Sequence, residues 1–149
     1  MSEPSVIAPT LVPSVAYDDL VAAIRWLTEV LGLRAASVYG GPDGAPVFAE
    51  LAWRTGVVFA HARPPADNPW AAAGPASIAL VAEDAGAVDR QYRRALAAGA
   101  EILRPPHVAR TPAFPDGSHQ FDLRDPAGNF WTIGTFQPRI PAAPGGGER

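Results

Sequence analysis

The chain has no cysteine, and that absence excludes disulfides, thiolate nucleophiles and sulfur-ligated zinc together. Charge is also sparse, at 18% of residues with a net of −3, and the longest basic run is the Arg93/Arg94 pair. With no sustained positive field to hold a phosphate backbone, nucleic acid is not an expected partner. No stretch approaches the roughly 20 consecutive apolar residues needed to span a bilayer, and the opening MSEPSVIAPT lacks the basic start and apolar run of a secretion signal. Together these absences lead to the expectation of a soluble cytoplasmic protein.

What is present suits one compact domain. In 149 residues, 48% are hydrophobic, enough for a core that buries roughly two-thirds of the unfolded surface. Leu11 to Tyr17 reads as a strand interrupted by Pro13. Asp18 or Asp19 then caps a helix in which Leu20, Ile24, Leu27 and Leu31 recur at three- and four-residue steps, and Gly32 stops it. Strands follow at 34–39, 46–53 and 57–62, the first two joined by the GGPDG turn. The segment RPPADNPWAAAGP, 63–75, carries four prolines and no periodicity, which describes a linker or a lid.

The second half repeats this plan. Ser77 to Glu83 reads as a strand, and Asp84 caps a helix bearing Val88, Tyr92, Ala95 and Leu96 that Gly99 stops. Gly32 lies 14 residues after Asp18, and Gly99 lies 15 after Asp84, the mark of an internal duplication. Glu101 to Arg104 reads as a strand and 105–117 as a proline-interrupted loop. Ser118 to Arg124 and Phe130 to Phe136 form a hairpin closed by DPAGN, and 138–149 is expected to be a disordered tail.

The hairpin FDLRDPAGNFWTIGTF, with RALAAGAEIL and the two Asp-capped helices, resembles the vicinal oxygen chelate superfamily of glyoxalases, bleomycin-resistance proteins and extradiol dioxygenases. The likeness covers residues 8–137: module one 8–62, linker 63–75, module two 76–137. It implies an α+β fold of two βαβββ modules whose mixed sheets curl into a cup, completed within one chain or across a homodimer. The WTIGTF ending and the lack of an early histidine are most similar to the antibiotic-resistance-like branch.

Metal-dependent members of this superfamily place His or Gln on the first strand of a module and Glu or His on its last. The matching positions here fall near Val12 and Ser77 on the first strands, at Thr132 on the last strand of module two, and within Phe59 to His61 in module one. At least three of the four cannot ligate a divalent ion, so neither a metal nor another cofactor is expected. A rearranged set of Glu50, His61 and His119 departs from the family spacing.

The remaining candidates come from strand alternation. In VFAELAW, Phe48, Glu50 and Ala52 share one face, and Ala49, Leu51 and Trp53 share the other. With Leu51 toward the helix, Glu50 enters the cup as a candidate general base; the alternative is an exposed rim glutamate. His119 is a second candidate base, with equal claims to either face of its strand, and His61 reads as a surface or hinge residue ahead of the linker. Aromatic side chains concentrate on strands and loops, and flat rings suit planar ligands, although about half must pack into the core. Trp53, Phe59, Trp70, His119 and Trp131 are the expected ligand contacts. The leading expectation is a metal-free protein that binds a bulky small molecule. The opposing ones are a glyoxalase-like lyase or isomerase, working through a recruited divalent metal or a Glu/His base, and a purely structural role.

Overall fold

A computed structural model describes residues 5–143. Module one runs β1 (Ser14–Tyr17), α1 (Leu20–Glu29), β2 (Arg34–Gly40), β3 (Pro46–Trp53) and β4 (Gly56–Ala62). A single 3-10 turn, Pro69–Ala72, lies in the connection. Module two runs β5 (Ser77–Val81), α2 (Ala85–Ala97), β6 (Glu101–Thr111), β7 (Phe114–Arg124) and β8 (Phe130–Gly134). The sheets are ordered β1-β4-β3-β2 and β5-β8-β7-β6, each with its first strand parallel to its last and the other pairs antiparallel. This is the duplicated α+β plan expected from the sequence.

Local chemistry sets the helix ends. Asp19, rather than Asp18, caps α1 by accepting from the Ala22 amide at 3.0 Å, and Asp84 caps α2 through the Ala87 amide at 2.8 Å. Gly32 and Gly99 take φ of +74° and +75°, the left-handed conformation that closes a helix without a Cβ penalty. Two boundaries differ from expectation. The first strand starts only at Ser14, although the Pro13 carbonyl still accepts from the Phe59 amide. The loop expected at 105–117 is instead mostly strand, since β6 runs through Pro105 and Pro106 to Thr111. It can do so because β6 is a sheet edge, where a missing amide costs no ladder bond, and the register shifts between Arg104 and His107 absorb the irregularity. Of the expected tail, 138–143 carry no regular secondary structure, and 144–149 lie outside the described residues.

Each helix covers one face of its own sheet, and the two modules share one core containing Leu27, Leu31, Leu51, Val88, Phe121, Leu123, Trp131 and Ile133. Burying each of these large side chains contributes on the order of 1.5–3 kcal/mol. Several contacts lock the modules together. Trp26 of α1 packs on Trp131 with ring centroids 6.4 Å apart, and Arg94 of α2 donates to the Glu29 and Thr28 carbonyls that end α1. Tyr17 donates to Asp125 at 2.8 Å, and the Trp53 indole donates to the Val81 carbonyl at 2.9 Å. With the helices and these contacts on one side, the opposite faces of the two sheets are left to carry function.

Candidate functional site

The free face of the first sheet follows from alternation. Ala49, Leu51 and Ala60 are fully buried beneath α1, with Val58 nearly so, and Phe48, Glu50, Phe59 and His61 therefore project from the other side. Register places Glu50 opposite Phe59 and Phe48 opposite His61. The Phe48 and Phe59 rings meet at 4.9 Å, and Tyr39 packs on Phe48 at 5.9 Å. Glu50 Oε1 accepts from the Ser37 hydroxyl at 2.7 Å and from the Tyr39 hydroxyl at 3.2 Å, which holds this half-buried carboxylate in place.

Over this face folds the 63–75 segment. Arg63 pins it, donating through Nε to Asp18 at 2.8 Å and through Nη1 to the Ala71 and Ala73 carbonyls at 2.7 and 3.1 Å. Asn68 shapes the 3-10 turn by accepting from the Trp70 amide. Trp70 therefore stands over His61, ring centroids 5.7 Å apart and nearly perpendicular. Between segment and sheet lies a cleft of ≈ 490 Å³ lined by Val12, Ser14, Phe48, Phe59, His61, Ala62, Pro64, Asn68 and Trp70. That volume is in the range of small-molecule sites. His61 Nδ1 lies 2.9 Å from the Ser14 hydroxyl, while its Nε2 is screened from solvent and has no partner. Burial, then the neighbouring Arg63 charge, holds the imidazole pKa below its ordinary value, so the ring is neutral at pH 7.

The structure brings Phe59 and Trp70 together, and it removes three expected contacts from this cleft. Trp131 is fully buried in the core against Trp26, its indole donating to Asp125 at 3.1 Å, and presents no surface to a ligand. Trp53 follows the phase of Leu51, faces module two and lines a separate cleft of ≈ 280 Å³ with Leu11, Pro13 and the β5 residues. His119 follows the phase of the buried Phe121, points to the helix side of its sheet and pairs with Asp89 of α2 at 2.7 Å. That pairing takes His119 away from the role of cup-facing base. His61, read as a surface or hinge residue, is instead a wall of the cleft.

On the free face of the second sheet stand residues the sequence reading passed over. Asp122 accepts from the Thr132 hydroxyl at 2.7 Å, and His107 lies 4.0 Å from the same carboxylate. Asp122 pairs with Thr132 as Glu50 pairs with Phe59, so the two modules carry equivalent carboxylates on their third strands. The available signal was the alternation of polar Gln120 and Asp122 with apolar Phe121 and Leu123.

The sequence pattern of the Glyoxalase/Bleomycin resistance protein/Dioxygenase superfamily matches residues 7–133, and the chain belongs to that family. Among solved structures it is similar to TioX from Micromonospora sp. ML1, at 26% identity over 85% of this chain and 98% of that one, with a TM-score of 0.68. It is also similar to a lactoylglutathione lyase from Agrobacterium tumefaciens, at 26% identity, 89% and 95% coverage and a TM-score of 0.61. Virulence protein STM3117 from Salmonella typhimurium shares the fold at 20% identity, 87% and 98% coverage and a TM-score of 0.60. A search of curated proteins finds no match.

The residues at these positions do not fit a divalent metal ion. Val12 and Phe59 are hydrocarbon walls of the cleft, the cleft offers one imidazole and no carboxylate, and Thr132 spends its hydroxyl on Asp122. Among the described residues no three His, Asp or Glu side chains gather closely enough to hold an ion. No helix among them is long and apolar enough to cross a membrane.

Proposed function

We propose that this chain is a metal-free small-molecule-binding protein that holds an aromatic, antibiotic-like ligand between the Phe48/Phe59 face and Trp70, acting as a cytoplasmic homodimer. The carrying observation is the cleft itself: ≈ 490 Å³ walled by three aromatic rings, with no charged side chain in its lining. Flat rings on two sides favour a flat guest, each ring offering on the order of 150–250 Å² of contact area. Membership of a superfamily whose description includes bleomycin resistance proteins supports a binding role. Homodimerisation is supported by the open β2 and β6 edges and by the exposed apolar side chains of Val38, Tyr39 and Val108 along them.

Planar aromatic compounds added to purified protein should quench tryptophan fluorescence and raise the melting temperature without being consumed. Trp70→Ala should abolish most of both effects. Stoichiometric zinc, nickel, manganese or iron in the purified protein would refute the metal-free reading. One observation favours a second reading, a lyase or isomerase: Glu50 sits on the same face as the cleft, directly across from Phe59. The likeness to the Agrobacterium lyase supports it as well. Turnover of a glyoxalase-type substrate that is lost in Glu50→Gln would establish that reading in place of simple binding.

A further inference from the structure

We infer that His61, backed by Ser14, is the polar anchor of the cleft, and that its ligand is an uncharged planar aromatic carrying a hydroxyl or carbonyl oxygen. The assignment depends on the cleft being the ligand site, and it names the chemistry that site selects.

Three features lead to it. The first is what the walls exclude. No Asp, Glu, Lys or Arg side chain lines the cleft, so an ion entering it is stripped of water with no counter-charge in return. Arg63, the cation nearest in sequence, is committed to Asp18 and to two carbonyls of the overlying segment. It is not free to meet an anion.

The second is the unused nitrogen. His61 Nδ1 is engaged by Ser14, while Nε2 is shielded from water and bonded to nothing. A buried nitrogen in that state carries a desolvation cost that a ligand oxygen removes on binding. The third is the Ser14 hydroxyl, which can either donate or accept. If it donates to Nδ1, Nε2 carries the proton and offers N–H to a carbonyl. If it accepts from Nδ1, Nε2 offers a lone pair to a hydroxyl. A neutral imidazole backed by a hydroxyl thus serves both oxygen functions, and the lowered imidazole pKa keeps it neutral at pH 7. Trp70, 58% exposed, stands edge to face with this ring. This exposed indole, in edge contact with the imidazole, is the side chain we assign to turn aside and admit the guest to Nε2.

The test uses 2-naphthol, naphthalene and 2-naphthoate, which share a ring system and differ in the polar group, titrated calorimetrically at pH 7.5 into wild type, His61→Phe and Trp70→Ala. Wild type should bind 2-naphthol on the order of threefold to tenfold more tightly than naphthalene, the worth of one neutral hydrogen bond, with 2-naphthoate weakest. His61→Phe should bring 2-naphthol and naphthalene to equal affinity, and Trp70→Ala should weaken both. An unchanged ratio in His61→Phe, or 2-naphthoate as the tightest binder, overturns the anchor while leaving the cleft as the ligand site. Failure of all three probes to bind in a Trp70-dependent way overturns the cleft reading, and the anchor with it. If His61→Phe does not fold, the imidazole ¹⁵N shifts of wild type decide. A change at Nε2 with 2-naphthol and not with naphthalene supports the anchor, and equal changes or none overturn it.

Discussion

Replacing Tyr17 by Phe removes one oxygen and tests what joins the two modules. The Asp125 carboxylate is 2% exposed, and five groups donate to it: the Ala127 and Asn129 amides at Oδ1, and the Tyr17 hydroxyl, the Asn129 side-chain amide and the Trp131 indole at Oδ2. Four of these donors belong to module two, within six residues of Asp125. Tyr17 alone reaches across from module one, 108 residues away in sequence. A hydrogen bond to a buried charge contributes about 1.5–3 kcal/mol. Because Oδ2 keeps two other donors and Phe fills the same space, the loss should fall near the lower end, about 1.5–2 kcal/mol. Burial, then the Asp125 charge, pushes the Tyr17 phenol above its ordinary pKa. The native state therefore holds this proton more tightly than the unfolded chain does, so stability is unaffected below about pH 10 and falls as pH rises above it. Tyr17→Phe should lose that alkaline component as well. Urea unfolding of wild type and variant at pH 7.5 and pH 10.5 measures both effects. A midpoint shift worth under about 0.5 kcal/mol at pH 7.5 would refute the view that this bond is a principal tie between the modules.

Three further outcomes follow from the same geometry. His61 has a depressed folded-state pKa, so its contribution to stability is complete above the unfolded value of about 6.5 and is lost as pH falls through the lower folded value. Wild type should accordingly lose more of its urea midpoint between pH 7.5 and pH 5 than His61→Phe does; equal losses would contradict the neutral, desolvated ring. Gly134→Ala places a Cβ 2.9 Å from both Gln120 Cβ and the buried Ser118 hydroxyl, and should cost about 1–3 kcal/mol by thermal or urea unfolding. Trp53→Phe keeps a ring but removes the donor to Val81, whose carbonyl retains Arg54 at 3.2 Å, so the loss should be about 1 kcal/mol, and a neutral result would show that the indole bond is dispensable.

How much of this was legible in the sequence depends on the range of the interaction that fixed it. Asp19, Asp84, Gly32 and Gly99 act on amides and carbonyls a few residues away, so both helices and the duplicated order could be read directly. The misplaced site residues trace to strand phase. Once Leu51 is assigned to the helix side, Trp53 must follow it; Phe121 and Leu123 take His119 to the core side of β7, and a ligand-facing Thr132 sends Trp131 the opposite way. All three assignments were implicit in the alternation and were obscured by treating aromatic rings as site candidates wherever they stood. The extension of β6 was hidden for a different reason, since prolines at 105 and 106 argue against a strand unless its edge position is known, and that position is a tertiary fact.

Tyr17 with Asp125 and Arg63 with the 63–75 segment belong to a third class. No local signal ties Tyr17 to a turn in the other module, and nothing in RPPADNPWAAAGP announces that its first residue will turn back to fasten its own carbonyls. Yet these are the contacts that separate scaffold from site. The tyrosine bond spends a buried charge on holding the modules in register, whereas the arginine bonds secure a segment whose tryptophan remains exposed and whose grip lies at a surface where water competes. Stability is thus concentrated behind the sheets and kept low in front of the cleft, which is the distribution a binding site needs if its cover is to move while its floor stays fixed.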